Sequence, residues 1–460
     1  MKYYLVYYNW ALKTPHFSVV IDEISQILEK DSEATVIYFY CDGDLKPCFI
    51  NPEGREDICS LCRFTQRQSL QNFGDRVKII PFSKINPYLN ISKIKEFPLN
   101  YDNLDEIKKL KYQNVDIGYG ALSSYISITK NKEPIIDKKF KVYFDKKLKN
   151  QIKLIEATSL LLKKYKPEKV IVFNGRFADM KPVRDIALLN SYLVDSMELI
   201  KNTNIDYRKV RFPNVLPHNL DFRTKEINEN WKNSNLTYDQ KVQVSDKFFI
   251  GRRAGKKIRD KKAYVLSQEK GKIPDSWDSS IKNISFFTSS DHEYASLGNT
   301  FNDLNVFESQ YDAIKSVLIK FRSDKSFRFY IRVHPNMNDI EYSYHTDIYK
   351  LDKYENAEVI EPNSEVNSYD LMEASDQIVV FGSSVGFESH YLNKPVILLA
   401  GCKYYNLDIC YKPKSPSEVY SLIRSDLNKI PGIDSIKYAF YLMNNDYYSE
   451  KNNMNPKVIK

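Results

Sequence analysis

The chain lacks any run of the roughly twenty consecutive apolar residues that a membrane-spanning helix requires. Its first residues, MKYYLVYYNWALKTPHF, lack the apolar core and cleavage site of a secretory leader. The expectation is a cytoplasmic protein, with peripheral association at the inner face of the cytoplasmic membrane left open, because a basic face could lie on lipid. No G-x-G-x-x-G follows the first strand pattern, which argues against a dinucleotide-dependent dehydrogenase. Internal repeats, low-complexity tracts and coiled-coil heptads are missing too, and no segment forms a basic arm of the kind that binds nucleic acid. No nucleic-acid partner is expected.

What is present is a globular composition. A chain of 460 residues with 42% hydrophobic side chains should hold two or three domains, each with its own core. The net charge of +9 comes from lysines spread throughout, so it could favour an anionic substrate or surface, or simply keep the protein solvated. Cysteine is scarce and uneven. Cys41, Cys48, Cys59 and Cys62 fall in CDGDLKPCFINPEGREDICSLC, whereas Cys402 and Cys410 lie far away. In a reducing compartment such a cluster suggests metal before disulfide, and Cys59-x-x-Cys62 has the spacing at which two thiolates share a tetrahedral ion. The gap from Cys41 to Cys48 is longer than in the usual zinc knuckle, so a structural zinc site and unliganded thiols both stand as readings. Nothing places this cluster at a reacting centre.

Strand and helix patterns alternate. YYLVYY at 3–8 and Ala34 to Tyr40 read as strands flanking a helix from about Phe17 to Lys30. A long amphipathic helix from about Leu148 to Tyr165 ends at Lys166-Pro167, ahead of the strand Val170-Ile171-Val172-Phe173. Residues 63–140 give no clear pattern, and 202–260 are polar and proline-punctuated, consistent with a connector carrying one or two helices. The alternation indicates an α/β fold with parallel sheets.

The richest stretch is 327–400. In FRFYIRVHP, Phe327, Phe329, Ile331 and Val333 alternate with Arg328, Tyr330, Arg332 and His334, so a strand delivers basic residues to its end, and Pro335 stops it. Later, Ile378-Val379-Val380-Phe381 meets Gly382-Ser383-Ser384, then a helix pattern with Gly386 and Glu388, then the apolar run Pro395 to Leu399. Hydroxyls and unpaired N–H groups at such a helix start favour a phosphate, and ligands collect at the carboxyl edge of parallel sheets. The pair predicts a site for a nucleotide mono- or diphosphate. The strand Ile284-Ser285-Phe286-Phe287 likewise opens into hydroxyls, Thr288-Ser289-Ser290, followed by Asp291-His292-Glu293.

In the first half, the strand at 170–173 opens into Asn174-Gly175-Arg176, with Ala178-Asp179 after it. Asp195 and Glu198, in LVDSMELI, come at the next strand or its exit, and either could serve as a general base. Glu198 ranks first among the carboxylates because it follows an apolar stretch; Asp179 and His292 stand behind it.

The ordered set NGRFA, RRAGKK, FFTSSDHEY, RVHPN, SYDLMEASDQIVVFGSSVGFESHYLNKPVILLAG and YKPKSPSEV resembles bacterial capsule and surface-polysaccharide biosynthesis proteins, a group of GT-B-type glycosyltransferases and their relatives. The resemblance covers about 165–425, and CDGDLKPC and CSLC also look like features of the group. Its His-Pro and Ser-Ser pair is similar to that of enzymes using cytidine-activated donors: capsule Kdo transferases, sialyltransferases and glycerophosphotransferases of teichoic acid synthesis. The resemblance implies a GT-B-like α/β architecture of two facing Rossmann-like domains with a cleft between them. The expected limits are 1–205 for an acceptor-side domain, 206–262 for a connecting segment, 263–430 for a nucleotide-donor domain and 431–460 for a helical tail. By motif, His334 would contact donor phosphate, Ser383 and Ser384 would bind phosphate at the helix start, Glu388 would lie near the ribose hydroxyls, and Asn174 and Arg176 would face the cleft from the acceptor side; Arg332, Ser289 and Ser290 are further candidates for binding the nucleotide donor. The sequence lacks the acidic-acidic-Gly motif of sialyltransferases, so the resemblance names neither the base nor sialic acid.

The expected function is transfer of a sugar from a nucleotide-sugar donor, CMP-activated in one version, to a glycan or lipid-linked glycan acceptor, with no catalytic metal. The alternatives are alditol-phosphate transfer from a CDP-alditol, and a non-catalytic polysaccharide assembly or export factor.

Overall fold

The strand β1 (Lys2–Tyr7) and the strand β2 (Ala34–Tyr40, ATVIYFY) pair in parallel, and every residue of β2 is buried. A β-branched and aromatic run with no polar alternation is what a strand covered on both faces needs. These are inner strands of the first of two compact units into which the chain divides between Asn219 and Leu220 in this computed structural model. It describes residues 2–12, 14–201, 207–258 and 263–444.

The first unit adds β3 (Val77–Pro81), a small hairpin of β4 (Lys111–Tyr112) and β5 (Val115–Asp116), then β6 (Lys169–Phe173), β7 (Leu193–Lys201) and β8 (Tyr207–Pro213). Its main sheet runs β3-β2-β1-β6-β7-β8, all parallel except β8, which pairs antiparallel with β7. The chain winds outward from β1 to β3, then returns to the other side of β1 and continues, the order of a dinucleotide-fold sheet. The helix leading into β6 spans Lys138–Tyr165, ten residues longer at its start than its apolar spacing suggested. Asp137 caps it by accepting from the Phe140 N–H at 2.7 Å, and Lys166 ends it in the left-handed conformation.

The second unit holds a five-stranded sheet in the order β11-β10-β9-β12-β13, with β9 (Lys282–Phe287), β10 (Phe327–Arg332), β11 (Ala357–Ile360), β12 (Gln377–Val380) and β13 (Val396–Leu398), all parallel. Ile284, Phe286, Phe329, Ile331, Val379 and Ile397 form one buried face under the helices Gln310–Lys320 and Pro416–Arg424, which contribute Ala313, Ile314, Val317, Val419 and Ile423. The same order of winding occurs here, and it reverses between β9 and β12.

The segment read as a connector, 206–262, has a different distribution. β8 belongs to the first sheet, and the helices Leu220–Asn233 and Tyr238–Arg253 belong to the second unit. They pack there against the helix Asp434–Met443, with the Trp231 and Phe440 rings 5.3 Å apart and the Ser245 hydroxyl donating to the Ile436 carbonyl at 3.0 Å. That helix is what the structure describes of the expected 431–460 tail; residues 445–460 lie outside the described residues. Among the described residues no helix is long and apolar enough to cross a membrane.

Candidate functional site

Register places three loops of the second unit side by side. Arg332 of β10 and Val380 of β12 both align with Phe287 of β9, so the three strands end in one row. The chain leaves that row as Val333-His334, Thr288-Ser289-Ser290 and Phe381-Gly382-Ser383-Ser384. This is the carboxyl edge of the sheet at the point where strand order reverses, where open parallel sheets bind ligands.

Hydrogen bonds tie the loops together. The His334 N–H donates to the Thr288 hydroxyl at 2.9 Å, the Asn336 amide to the Ser290 hydroxyl at 3.2 Å, and the Tyr294 hydroxyl to the Gly382 carbonyl at 2.6 Å. Gly382 has φ of +94°, and a Cβ there would meet the Gly401 carbonyl oxygen and Cys402 Cβ at 3.1 Å, so the turn into Ser383 depends on glycine. Ser383 accepts from the Val385 N–H at 3.3 Å, while the Ser384 hydroxyl does not cap the helix that follows. That helix, Val385–Tyr391, is only seven residues long, so the hydroxyls and nearby cations outweigh its dipole.

The electrostatics are one-sided. Arg332 is buried, donates to the carbonyls of Glu361 and Ser364, and has no acidic partner among the described residues. Burial lowers its pKa to about 10, which still leaves it charged near neutrality. It therefore acts on the site as an uncompensated positive charge; its guanidinium is committed to the backbone. Beside it, the His334 pKa is lowered to about 4 by burial, with repulsion from Arg252, Arg332 and His292 adding to the effect. The His334 Nδ1 accepts from the Asn336 N–H at 3.1 Å, so the single proton of the neutral ring sits on Nε2, where it can be donated to an anion.

The folded pKa of His334 is below that of an unfolded histidine, and His390 shares the same shift to about 4, again chiefly through burial. Between pH 6.5 and about 4 the unfolded chain therefore binds more protons than the folded one. Stability from these rings should be complete above pH 6.5 and drain away as pH falls towards 4; NMR titration of the imidazoles, with unfolding midpoints across that range, checks it. A His334 that titrates near 6.5 would contradict the half-buried neutral ring.

Several expected ligand residues have other duties. Ser289 is held by Gln310, whose side chain accepts from the Ser289 N–H at 2.9 Å and donates to its hydroxyl at 3.2 Å; this serine braces the loop. Ser290 and His292 are buried in the same loop and helix start, His292 close enough to His334 to repel its proton. Glu388 is 2% exposed; one carboxylate oxygen accepts from Arg252 at 3.2 Å and the other from the Tyr369 hydroxyl. Both oxygens face inward partners, so the ribose contact implied for Glu388 is not what this geometry presents. Arg252 also reaches the Ser384 hydroxyl at 3.3 Å. Sequence reading quoted RRAGKK but gave Arg252 no role; only the long-range pairing shows it.

In the first unit, Phe173 and Met197 align across β6 and β7, so Asn174 leaves the end of β6 beside Glu198, which lies within β7 and pairs with Val210 of β8. Asn174, with φ of +62°, donates its amide to the Glu198 carboxylate and accepts from the Arg176 N–H at 3.2 Å. Left-handed backbone at a non-glycine residue is a feature that clusters at functional sites. Gly175 follows at φ +84°, where a Cβ would meet Arg184 Cδ at 2.7 Å. The Arg176 guanidinium lies 4.0 Å over the Phe177 ring and donates to Ser123 at 2.8 Å.

The other carboxylates are neutralised. Asp179 accepts from Lys147 at 3.0 Å, from the Trp10 indole at 3.1 Å and from the Phe49 N–H at 2.7 Å, and both members of the ion pair are buried. Burial works against the Lys147 charge, but Asp179 outweighs it and holds the lysine pKa above its usual value. Both Asp179 oxygens are committed to partners inside the unit and do not face an acceptor hydroxyl, so the geometry does not favour it as the base. Asp195 is likewise buried and paired with Lys169 at 2.8 Å.

The cysteines do not assemble. Cys59 and Cys62 share the helix Glu56–Leu70, but the Cys59 sulfur accepts from Asn51 at 3.3 Å, Cys62 from Gln66 at 3.5 Å, and Cys41 from the Gly43 N–H at 3.3 Å. None of the six cysteines forms a disulfide, and burial pushes Cys41 up to about 12 and raises Cys48 and Cys62 as well. Among the described residues no group of three or more His, Cys, Asp or Glu side chains could hold a metal ion. The zinc site read from the spacing of Cys41, Cys48, Cys59 and Cys62 does not fit this geometry, because each thiol is packed against its own neighbour.

Residues 298–409 match the family described as capsule polysaccharide biosynthesis protein. The matched stretch contains Arg332, His334, Ser383, Ser384 and Glu388, and it bears out the resemblance read from RVHPN and VVFGSSVGFES. No curated protein sequence matches the chain. Among solved structures, the KpsC beta Kdo 2,4 transferase of Thermosulfurimonas dismutans is 13% identical over 60% of this chain and 79% of that one, with a TM-score of 0.37. Its beta Kdo 2,7 transferase counterpart is 14% identical over 62% and 79%, with a TM-score of 0.35. UDP-GlcNAc 2-epimerase from Neisseria meningitidis, bound to UDP-GlcNAc, is 12% identical over 100% and 98%, with a TM-score of 0.26. Scores this low carry no argument about activity.

Proposed function

We propose that the protein is a glycosyltransferase that moves a sugar from a nucleotide-activated donor to a growing capsule or other surface polysaccharide. The observation that carries this reading is the meeting of three strand-end loops around His334 and Ser384, beside the uncompensated charge of Arg332, at the carboxyl edge of the second sheet. Such a site suits a leaving nucleotide: negative charge develops on phosphate oxygens as the glycosidic bond breaks, and fixed N–H, O–H and cationic groups stabilise it without reorganising. The match of residues 298–409 to a capsule biosynthesis family supports the same substrate class.

In this reading the neutral His334 donates its Nε2–H to donor phosphate, Ser384 donates its hydroxyl, and Arg332 lowers the energy of the anion through space. Glu198 takes the proton of the acceptor hydroxyl, and Asn174 and Arg176 line the acceptor side. Incubation with a panel of nucleotide sugars and short surface-glycan acceptors, followed by mass spectrometry, tests the assignment. A gain of one sugar residue is expected. A gain of an alditol phosphate from CDP-glycerol or CDP-ribitol instead would reassign the chain to alditol-phosphate transfer, and no product from any donor would favour an assembly role.

A further inference from the structure

The buried ion pair of Arg252 and Glu388 has no assigned work. Arg252 lies in the last turn of the helix Tyr238–Arg253, 136 residues before Glu388, and both side chains are almost wholly enclosed. Burial works against the arginine charge, while Glu388 and Tyr369 outweigh it and keep the Arg252 pKa above its usual value. One guanidinium nitrogen faces two acceptors: it lies 3.2 Å from a Glu388 oxygen and 3.3 Å from the Ser384 hydroxyl. The second Glu388 oxygen is taken by the Tyr369 hydroxyl, whose own pKa is raised by burial and then by the carboxylate.

A serine hydroxyl has one proton to give and two lone pairs to receive with. When Ser384 accepts from Arg252, its proton must point elsewhere. Ser384 is half-buried and sits in the loop that follows β12, so the outlet for that proton is the carboxyl edge of the sheet. Glu388, one turn further along, is spent on holding Arg252 in place.

We infer that Arg252 is a positioning residue of the donor site, held by Glu388 as its buried counter-ion, and that it orients the Ser384 hydroxyl as a hydrogen-bond donor to nucleotide phosphate. This rests on the nucleotide-donor reading above and changes one part of it: Glu388 acts through Arg252 and does not touch ribose. Arg252→Lys keeps a charge but moves it, because the ammonium sits on a flexible stem and not at the corner of a rigid planar group that places one nitrogen between Glu388 and Ser384.

The test is calorimetric titration of the full chain with CMP, CDP, UDP and GDP, followed by the 2′- and 3′-deoxy forms of whichever binds. Arg252→Lys and Ser384→Ala should each weaken binding by about tenfold, and the double variant should be scarcely weaker than either single one, because coupled residues do not act additively. Glu388→Gln should weaken the ribo and deoxy nucleotides by the same factor. Tyr369→Phe supplies a second, gentler release of Glu388 should Glu388→Gln unfold, and thermal melting identifies any variant that does.

Additive losses for Arg252→Lys and Ser384→Ala, or an unaffected Arg252→Lys, would overturn the positioning role. A Glu388→Gln penalty confined to ribo nucleotides would restore the ribose contact and overturn the counter-ion role. Failure of the wild-type protein to bind any of the four nucleotides is a different result: it would overturn the donor site itself, and this inference with it.

Discussion

Glu198→Gln is expected to slow transfer by about 10²–10⁴-fold, the range for loss of an acid–base catalyst, while nucleotide affinity stays at the wild-type level. Glutamine keeps the size of the side chain and can still meet the Asn174 amide, so the change removes basicity and little else. The argument for Glu198 is elimination joined to placement. Asp179 and Asp195 are each buried and committed to a lysine, so neither carboxylate is presented to an acceptor hydroxyl. Glu198 lies within β7 where β6 has already ended, and Asn174, the first residue after β6, donates its side-chain amide to the carboxylate. The donor groups are assigned to the second unit, so a residue of the first unit can lose its function without changing nucleotide binding. Steady-state rates and calorimetry on the same preparation separate the two. Near-normal turnover would remove Glu198 and turn attention to His292.

Asp179→Ala should produce the largest loss of stability of any single change considered, about 3–5 kcal/mol, because it strands the Lys147 charge in the core. The side chains of Lys147 and Asp179 are 1% and 7% exposed, so water cannot replace the missing carboxylate without opening the unit. The Trp10 indole and the Phe49 N–H would lose their acceptor at the same time. Asp179→Asn should retain part of that hydrogen bonding and still destabilise strongly, since the lysine remains unpaired. Urea unfolding followed through tryptophan emission in a Trp231→Phe, Trp277→Phe background reads the first unit through Trp10, and nucleotide binding by the folded fraction should be unchanged. A stable Asp179→Ala protein with no transfer activity would return Asp179 to the mechanism.

Parts of this arrangement were legible before any coordinates. Alternation in FRFYIRVHP, and the continuous apolar runs at 378–381 and 395–399, are the direct signatures of strands that are covered on one or both faces, and they place His334 and Ser383-Ser384 at strand ends. β8 was not legible: YRKVRFP is an edge strand whose charged residues obscure its alternation, and its pairing partner is fixed by β7 rather than by its own pattern. Residues 63–140 failed for related reasons: most fold into short helices, one edge strand and a hairpin of two-residue strands, and the longer helix Ile117–Thr129 is buried on nearly every side, so it shows no amphipathic period.

The site was read less well than the strands that carry it. Loop motifs indicated which residues reach the sheet edge, but whether a side chain there is available depends on partners far away in the chain. Asp179 looks like a strand-end base until Lys147 is seen beside it, and Glu388 looks like a ribose ligand until Arg252 and Tyr369 occupy both its oxygens. The cysteine spacing suggested a metal for the same reason: it records separation along the chain, while Asn51 and Gln66 decide what the thiols touch.

The central claim is that the carboxyl edge of the second sheet holds a nucleotide phosphate through His334, and calorimetric comparison of wild-type protein with His334→Ala tests it most directly. One of CMP, CDP, UDP and GDP should bind the wild type, and His334→Ala should bind it about tenfold more weakly or worse, as the loss of a hydrogen bond to a charged group costs about 1.5–3 kcal/mol. Equal affinity in a folded His334→Ala protein, or no binding of any of the four by the wild type, would contradict the account.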